Sequence, residues 1–157
     1  LITEAYQLMR EGLDMSADEC QQVFAKWNEG VLDSYLIEIT AEILKFKDSD
    51  GEPLVDKILD AAGQKGTGKW TGISSLELGI PVTLITESVY SRCLSALKDE
   101  RVAAAKIYPR VAAENCYSEA EKQEIIASIH DALYASKIIS YAQGYMLMAE
   151  AAKDFGW

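Results

Sequence analysis

A glycine-rich segment at residues 62–71 carries the side chains with the clearest chemical potential in this sequence. Glycine allows backbone N–H groups to approach a ligand closely and to adopt positive φ angles. Lysine adds a compact positive charge, and threonine adds a hydroxyl donor. Together these groups predict a nest for a phosphate or a carboxylate. The candidate ligand groups are Lys65, Thr67, Lys69 and Thr71, with Gln64, Gly66 and Gly68 as the supporting loop.

The same segment nearly matches a nucleotide-binding P-loop, because four residues separate Gly63 from Gly68 and Lys69. Two features count against that interpretation. A P-loop continues with serine or threonine, whereas Trp70 stands here, and a P-loop connects a strand to a helix, whereas a helical pattern precedes this one. A flexible link between helices is the remaining alternative. The density of polar donors, with Trp70 as an expected apolar anchor, favours an anion-binding loop held in one shape.

Arg92 is the second candidate for anion binding. It lies on a predicted helix over residues 82–97 and emerges at the edge of an apolar face. Its apolar neighbours at helical spacing are Ile85, Val89 and Ala96. An arginine in such a place snorkels to water, pairs with an acidic side chain or binds an anionic ligand. Glu87 and Asp99 are the nearby acids that an ion pair would use.

Other residues that could do chemistry have simpler interpretations. Residues 48–51 faintly resemble a calcium loop but lack the remaining oxygen ligands, so they predict a turn. His130 is interpreted as a packing or surface histidine and not as a base. Cys93 is interpreted as a structural thiol. Residues 33–35 stand at the start of a helix and predict a cap.

The composition is that of a globular protein, with 157 residues of which 49% are hydrophobic. The net charge of −10 argues against nonspecific binding to nucleic acid or to an anionic membrane. Three widely spaced cysteines predict reduced thiols, and with only one histidine they do not suggest a metal site. The sequence opens without methionine or a signal-peptide pattern, and we expect it to be a piece of something longer.

Helical spacing of apolar residues dominates the sequence, and no alternating strand pattern stands out. A capping box at residues 16–19 starts one helix, and another at residues 118–121 starts the last one. Since no proline follows, the last helix is expected to run for about 35 residues, each adding roughly 1.5 Å of length. The other predicted helical segments are 3–13, 32–46, 53–61, 71–78, 82–97 and 102–108, with a charged break at 98–101.

These elements predict an all-α fold, with one domain over residues 1–157 built as a multi-helix bundle around the long last helix. Residues 132–152 are the most apolar part of that helix. They are interpreted as a buried core helix and not as a membrane span, because they include charged side chains. A stripe of large side chains is expected in the core: Tyr134, Tyr141, Tyr145, Met146 and Met148.

Four segments, in the same order, resemble the 6-phosphogluconate dehydrogenase family. They are 32–40 (LDSYLIEIT), 63–71 (GQKGTGKWT), 95–101 (SALKDER) and 134–144 (YASKIISYAQG). The resemblance implies part of the large all-helical domain that follows a Rossmann domain and serves in substrate binding and dimerisation. It also implies the family's reaction in the pentose phosphate pathway, in which 6-phosphogluconate is oxidised with NADP and decarboxylated to ribulose 5-phosphate and CO2.

By that resemblance, Lys65 and Thr67 hold the substrate phosphate and Arg92 completes the site. The family's general base, its general acid and a further tyrosine at the phosphate would all precede Leu1, so no catalytic residue is expected in this segment. The Rossmann domain, which binds NADP, and the C-terminal tail that reaches the partner subunit are absent from it as well. No cofactor-binding residue is therefore expected, and the isolated chain is expected to be inactive.

The resemblance further implies a cytoplasmic homodimer that binds 6-phosphogluconate and neither nucleic acid nor a membrane. Two alternatives remain. A noncatalytic helical scaffold would use the glycine loop for a peptide carboxylate or for nothing, and it would not prefer 6-phosphogluconate to inorganic phosphate. A small-acid member of the β-hydroxyacid dehydrogenase superfamily would need no phosphate site, so Lys65, Thr67 and Arg92 favour a phosphorylated sugar acid.

Overall fold

The computed structural model describes residues 1–108 and 116–157. Within them there is no strand, only an isolated antiparallel bridge between Lys47 and Pro53. The all-α prediction is confirmed. The helices are α1 (Ile2–Gln7), α2 (Ala17–Trp27), α3 (Tyr35–Lys45), α4 (Thr67–Glu77), α5 (Thr83–Ala96), α6 (Lys98–Ile107) and α7 (Glu119–Phe155), with a π-helical turn at Leu8–Gly12 and a 3-10 turn at Leu54–Lys57.

The chain forms two compact units, and α7 contributes residues to both. The first unit comprises Leu1–Ile58 together with the described residues of Ala113–Ser136. The second comprises the described residues of Leu59–Ala112 together with Lys137–Trp157. The glycine-rich segment and Arg92 therefore belong to the second unit.

A hydrophobic core stabilises the first unit. Met9, Phe24 and Leu32 are fully buried there, and the ring of Phe24 meets that of Trp27 edge-on with centroids 5.2 Å apart. Burying a side chain of this size contributes about 1.5–3 kcal/mol. Cys20 lies in the same core, and burial raises the pKa of its thiol to about 11. This cysteine is therefore a packing residue with little thiolate at neutral pH.

Both predicted capping boxes are confirmed. At the start of α2, the Glu19 backbone N–H donates to Ser16 Oγ at 3.2 Å, and Glu19 Oε2 accepts from the Ser16 backbone N–H at 2.6 Å. Ser118 and Glu121 form the same pair of bonds at the start of α7. The predicted cap at the start of α3 is also confirmed, since Ser34 Oγ accepts from the backbone N–H of Ile37.

Replacing Ser16 with alanine should lower the free energy of unfolding by about 1 kcal/mol at neutral pH, because α2 loses its cap. Bonds from Ser16 lower the pKa of the Glu19 carboxyl, so folding favours its ionised form. The stabilisation is therefore fully present above the unfolded-state pKa of Glu19 and is lost as the pH falls through the lower folded-state pKa. Urea unfolding at several pH values measures this. The control is Ser128→Ala within α7, and an equal loss there would contradict the capping role.

Two glycines allow α4 and α5 to pack closely in the second unit. A Cβ atom built on Gly68 would lie 2.7 Å from Val89 Cγ2. One built on Gly72 would lie 3.1 Å from Thr86 Cγ2. Both distances are shorter than ordinary contacts, so the separation of these helices depends on the absence of side chains at the two glycines.

The side chain of Gln143 on α7 caps the N-terminus of α5. Its Oε1 accepts from the Leu84 backbone N–H at 3.0 Å, and its Nε2 donates to Thr83 Oγ1 at 2.9 Å. The preceding residue, Val82, has an apolar side chain that cannot cap the helix and is itself buried. A side chain distant in sequence thus replaces the local cap that a helix start requires.

The charged break predicted at residues 98–101 is wrong. These residues form the first turn of α6, and the chain leaves helical geometry only at Leu97, with φ −82° and ψ 53°. Asp99 and Glu100 suit this position because the helix dipole favours negative charge at an N-terminus. The negative charges at residues 99 and 100 therefore indicate the start of a helix and not a break between helices.

One further helical prediction was too long. The helix expected over residues 53–61 is only the turn Leu54–Lys57. The helix expected over residues 3–13 is confirmed, although it changes from α-helical to π-helical geometry after Gln7, and the Leu13 backbone N–H donates to Leu8 O.

The last helix has the predicted length, since α7 comprises 37 residues. The prediction that residues 132–152 of this helix are buried in the core is wrong. Of residues 132–152 only Leu133, Leu147 and Ala151 are buried, because apolar side chains surround the helix and the described neighbours cover one side of it. The stripe expected in the core is exposed, at 38% for Tyr134, 60% for Tyr141, 63% for Tyr145, 50% for Met146 and 52% for Met148. Among the described residues, no helix is both long and apolar enough to cross a membrane.

Candidate anion-binding site

The glycine-rich segment is a loop only as far as Gly66. This residue precedes α4 with φ +121°, a conformation that residues with a side chain rarely adopt. Residues 67–71 were predicted to continue the loop, but they form the first turn of α4, and the Trp70 backbone N–H donates to Gly66 O at 2.8 Å. The prediction was wrong because one glycine at positive φ is enough to turn the chain into a helix.

The N-terminus of α4 is open to an anion. The first N–H groups of a helix have no partner within it, and no side chain caps this end. The helix dipole adds partial positive charge at the same place, so a phosphate fits there. Lys65 precedes the helix and Lys69 lies in its first turn, and both side chains are exposed. Backbone and side chains thus supply positive charge together.

Arg92 reaches the loop from α5. Its Nε donates to Gly63 O at 2.7 Å, and its Nη2 donates to the same oxygen. The ion pair with Glu87 or Asp99 that the sequence left open does not form in the described part of the chain; Glu87 accepts from Ser91 Oγ instead. Arg92 is therefore bonded to the glycine loop that also carries Lys65.

A pocket of about 350 Å³ brings these groups together. Its lining residues are Gln64, Lys65, Thr67, Gly68, Lys69, Ile85, Ser88, Val89 and Arg92. Three of them carry a positive charge and none is acidic, although the whole sequence has a net charge of −10. Such a local excess of positive charge favours an anionic ligand.

The pocket is also lined by three residues that were not predicted from the sequence: Ile85, Ser88 and Val89. The signal was available, since these residues precede Arg92 on α5 by seven, four and three positions and so share its helix face. They close one wall of the pocket and are less polar than the loop opposite. Gly66 is not a lining residue; it sets the direction of the chain that carries Thr67.

Trp70 does not anchor the loop as predicted, because 64% of its surface is exposed. Its ring lies over Gly66, where a Cβ atom would be 3.9 Å from Cζ2. The hydrogen bond from Arg92 to Gly63, and not an apolar anchor, connects this loop to α5.

The other candidate residues lie outside this pocket. The ring of His130 packs edge-on against Trp27, with centroids 5.6 Å apart, as expected of a packing histidine. Asp48 and Asp50 both bind Lys57, which lowers the pKa of each carboxyl. Within residues 1–108 and 116–157, no cluster of three metal-binding side chains occurs. The cysteines described there are free.

A profile of the family described as "6-phosphogluconate dehydrogenase, C-terminal domain" matches residues 1–157. The chain belongs to this family. A "6-phosphogluconate dehydrogenase, decarboxylating" of Cunninghamella elegans is 62% identical over 157 residues, which are 100% of this chain and 32% of that protein. The protein of the same name from Homo sapiens is 57% identical, again over 100% of this chain and 32% of the relative.

A solved structure has the same fold. It is the Plasmodium falciparum 6-phosphogluconate dehydrogenase, described in its apo form and in complexes with NADP+ and with 6-phosphogluconate. The TM-score is 0.92 and the sequence identity 39%, over 99% of this chain and 33% of that one. The family resemblance drawn from the four segments is confirmed. The chain spans about a third of the length of these relatives.

Proposed function

We propose that this chain is the phosphate-binding part of a 6-phosphogluconate dehydrogenase, which oxidises and decarboxylates 6-phosphogluconate to ribulose 5-phosphate and CO2. The observation that carries the proposal is the acid-free pocket in which Lys65, Thr67 and Arg92 meet the open start of α4. The shared name of the relatives and the complex of the Plasmodium falciparum enzyme with 6-phosphogluconate support it.

Each of the three residues has its own role at the phosphate. Lys65 supplies a compact charge, and Thr67 supplies a hydroxyl and a backbone N–H at the start of α4. Arg92 supplies a planar guanidinium that binds phosphate oxygens in pairs. Its Nε and one N–H of Nη2 already donate to Gly63 O, so this carbonyl sets the plane of the guanidinium. Nη1 and the second N–H of Nη2 are left to bind a pair of phosphate oxygens.

The contribution of this site to catalysis is positioning. Lys65, Thr67 and Arg92 bind the phosphate, which takes no part in bond making or breaking. Binding energy from such a remote group orients the reacting carbon and lowers the barrier measured from free enzyme and substrate, which determines kcat/KM. We assign no proton-transfer residue to this chain.

NADP binding is assigned to other parts of the enzyme. A dinucleotide site of the Rossmann type needs a strand, a glycine-rich turn and a helix, and residues 1–108 and 116–157 contain no strand. The described residues therefore do not form a dinucleotide site of that type. The reduction of NADP depends on a part of the enzyme with that architecture.

We also propose that residues 1–157 are part of one all-helical domain that binds substrate and forms a homodimer in the cytoplasm. The uninterrupted match to a single domain family supports the first point. Exposed apolar side chains on α7, such as Tyr141 and Tyr145, are available for an interface. The exposed free thiols Cys93 and Cys116 suit a reducing compartment.

A hybrid enzyme tests the function. In it, this chain replaces the matching third of the Cunninghamella elegans 6-phosphogluconate dehydrogenase. We expect the hybrid to form NADPH from 6-phosphogluconate, because the chain supplies the phosphate site that the rest of the enzyme needs. The isolated chain should form none. Steady-state absorbance of NADPH measures both.

Two results would contradict the proposal. One is a folded, NADP-binding hybrid without activity. The other is a hybrid whose activity is inhibited equally by inorganic phosphate and by a phosphorylated sugar acid analogue, since a scaffold with a general anion site would not distinguish them.

A further inference from the structure

The segment that leads into the glycine loop is bonded to α5 and α6. Arg101 of α6 donates from Nη1 to Asp60 Oδ2 at 3.0 Å and from Nη2 to Asp60 O at 2.8 Å. The same Nη2 donates to Ser95 O at 2.9 Å, at the end of α5. One guanidinium thus joins the loop entrance to the α5–α6 junction.

Two more bonds follow along the same segment. The Ala62 backbone N–H donates to Ser95 Oγ at 3.0 Å. The next residue, Gly63, accepts from Arg92. The backbone is therefore held at positions 60, 62 and 63 by side chains of α5 and α6, immediately before Lys65 and Thr67.

Stability alone explains this cluster poorly. The Arg101 side chain is 29% exposed and that of Asp60 is 73% exposed, and ion pairs with an exposed partner contribute little to stability. Arg101 Nε is buried without a hydrogen-bond partner among the described residues, which is unfavourable. The hydrogen bond and charge of Arg101, with a smaller effect of Lys98, lower the pKa of the Asp60 carboxyl. Asp60 is therefore ionised and paired at neutral pH.

These bonds do fix the distance between the glycine loop and α5. Lys65 and Thr67 reach the pocket from the loop, whereas Arg92 reaches it from α5. Bonds from Ser95 and Arg101 to the loop entrance hold these two walls in register. A displacement of about 1 Å between the two walls is enough to weaken the binding of a ligand that must contact both.

We propose that Arg101 and Ser95 are positioning residues for the substrate phosphate: they set the loop that carries Lys65 and Thr67 at the correct distance from Arg92. The inference rests on the proposed function of the pocket. Neither side chain lines the pocket, so both act through the loop and not on the ligand.

The test uses the hybrid enzyme with Arg101→Gln. We expect the KM for 6-phosphogluconate to rise about fivefold, because the side chains that bind the phosphate are no longer held at the correct distance from one another. The KM for NADP and kcat should stay nearly unchanged. Lys106→Gln is the control, since it removes the same charge from the same helix and the Lys106 side chain is exposed. This control should leave the KM unchanged.

Ser95→Ala is the second variant, and alanine at this position favours the helix, so the protein should fold. It removes the acceptor of the Ala62 N–H, and we expect the KM for 6-phosphogluconate to rise about threefold. An unchanged KM in Ser95→Ala and Arg101→Gln, with a raised KM in Arg92→Ala, would overturn this inference alone. An unchanged KM in Arg92→Ala would overturn the proposed function instead.

Discussion

Replacing Lys65 with alanine in the hybrid enzyme should raise the KM for 6-phosphogluconate about tenfold or more and change kcat much less. The variant loses a charge-assisted hydrogen bond of about 1.5–3 kcal/mol, and each 1.4 kcal/mol corresponds to roughly a tenfold change in affinity. Arg92→Ala should have an effect of the same size, because it removes the guanidinium and frees Gly63 O. Steady-state NADPH formation over a range of substrate concentrations measures both.

The part of the substrate that these residues bind can be tested directly. Inorganic phosphate, used as a competitive inhibitor, should lose affinity in Lys65→Ala and Arg92→Ala in parallel with the rise in KM. Gluconate, which lacks the phosphate, should be oxidised with the same kcat/KM by the variants and by the unchanged hybrid. A matching loss of activity on gluconate would show that these side chains contact the sugar acid and would contradict the phosphate site.

A substitution of an exposed lysine outside the pocket provides the matched control. Lys106 lies in the same unit, carries the same charge as Lys65 and is exposed. Lys106→Ala should leave the KM for 6-phosphogluconate and the inhibition by phosphate unchanged. A comparable rise in this control would mean that net charge, and not the geometry at the start of α4, determines binding.

The sequence predicted features that depend on local chemistry. The capping boxes at Ser16 and Ser118 determined where α2 and α7 begin, because a side chain three residues away completes each box. Lys65 and Thr67 could be proposed as anion ligands because glycine, lysine and threonine stand together in sequence, and both line one pocket with Arg92. Arg92 joined them through its position at the edge of a helix face.

Features that depend on distant residues could not be predicted in the same way. Arg101 binds Asp60 across 41 positions of sequence, and no local pattern indicates such a pair. Lys98 and Arg101, in the segment that was interpreted as a break, likewise pair with the distant Asp60. The burial expected for Tyr141 and Tyr145 failed because apolar character on a helix does not specify which neighbours cover it.

Adding one methyl group at Gly68 should disturb both stability and binding. A Cβ atom there would lie 2.7 Å from Val89 Cγ2, and valine is stiff at χ1 within a helix, so α4 must move away from α5. Gly68→Ala should therefore lower the free energy of unfolding by about 1–3 kcal/mol. Because both residues line the pocket, the KM for 6-phosphogluconate in the hybrid should rise as well.

A second substitution tests whether the contact with Val89 causes the loss of stability in Gly68→Ala. Val89→Ala removes the atom that the new methyl group would meet, so Gly68→Ala combined with Val89→Ala should lose less stability than the two single losses added together. Coupling between contacting residues commonly amounts to about 0.5–3 kcal/mol. Gly144→Ala on α7 is the control, since a Cβ atom there meets open space and alanine favours the helix. Urea unfolding of the four variants measures the coupling, and strict additivity would contradict close packing of α4 on α5 as the reason for glycine at this position.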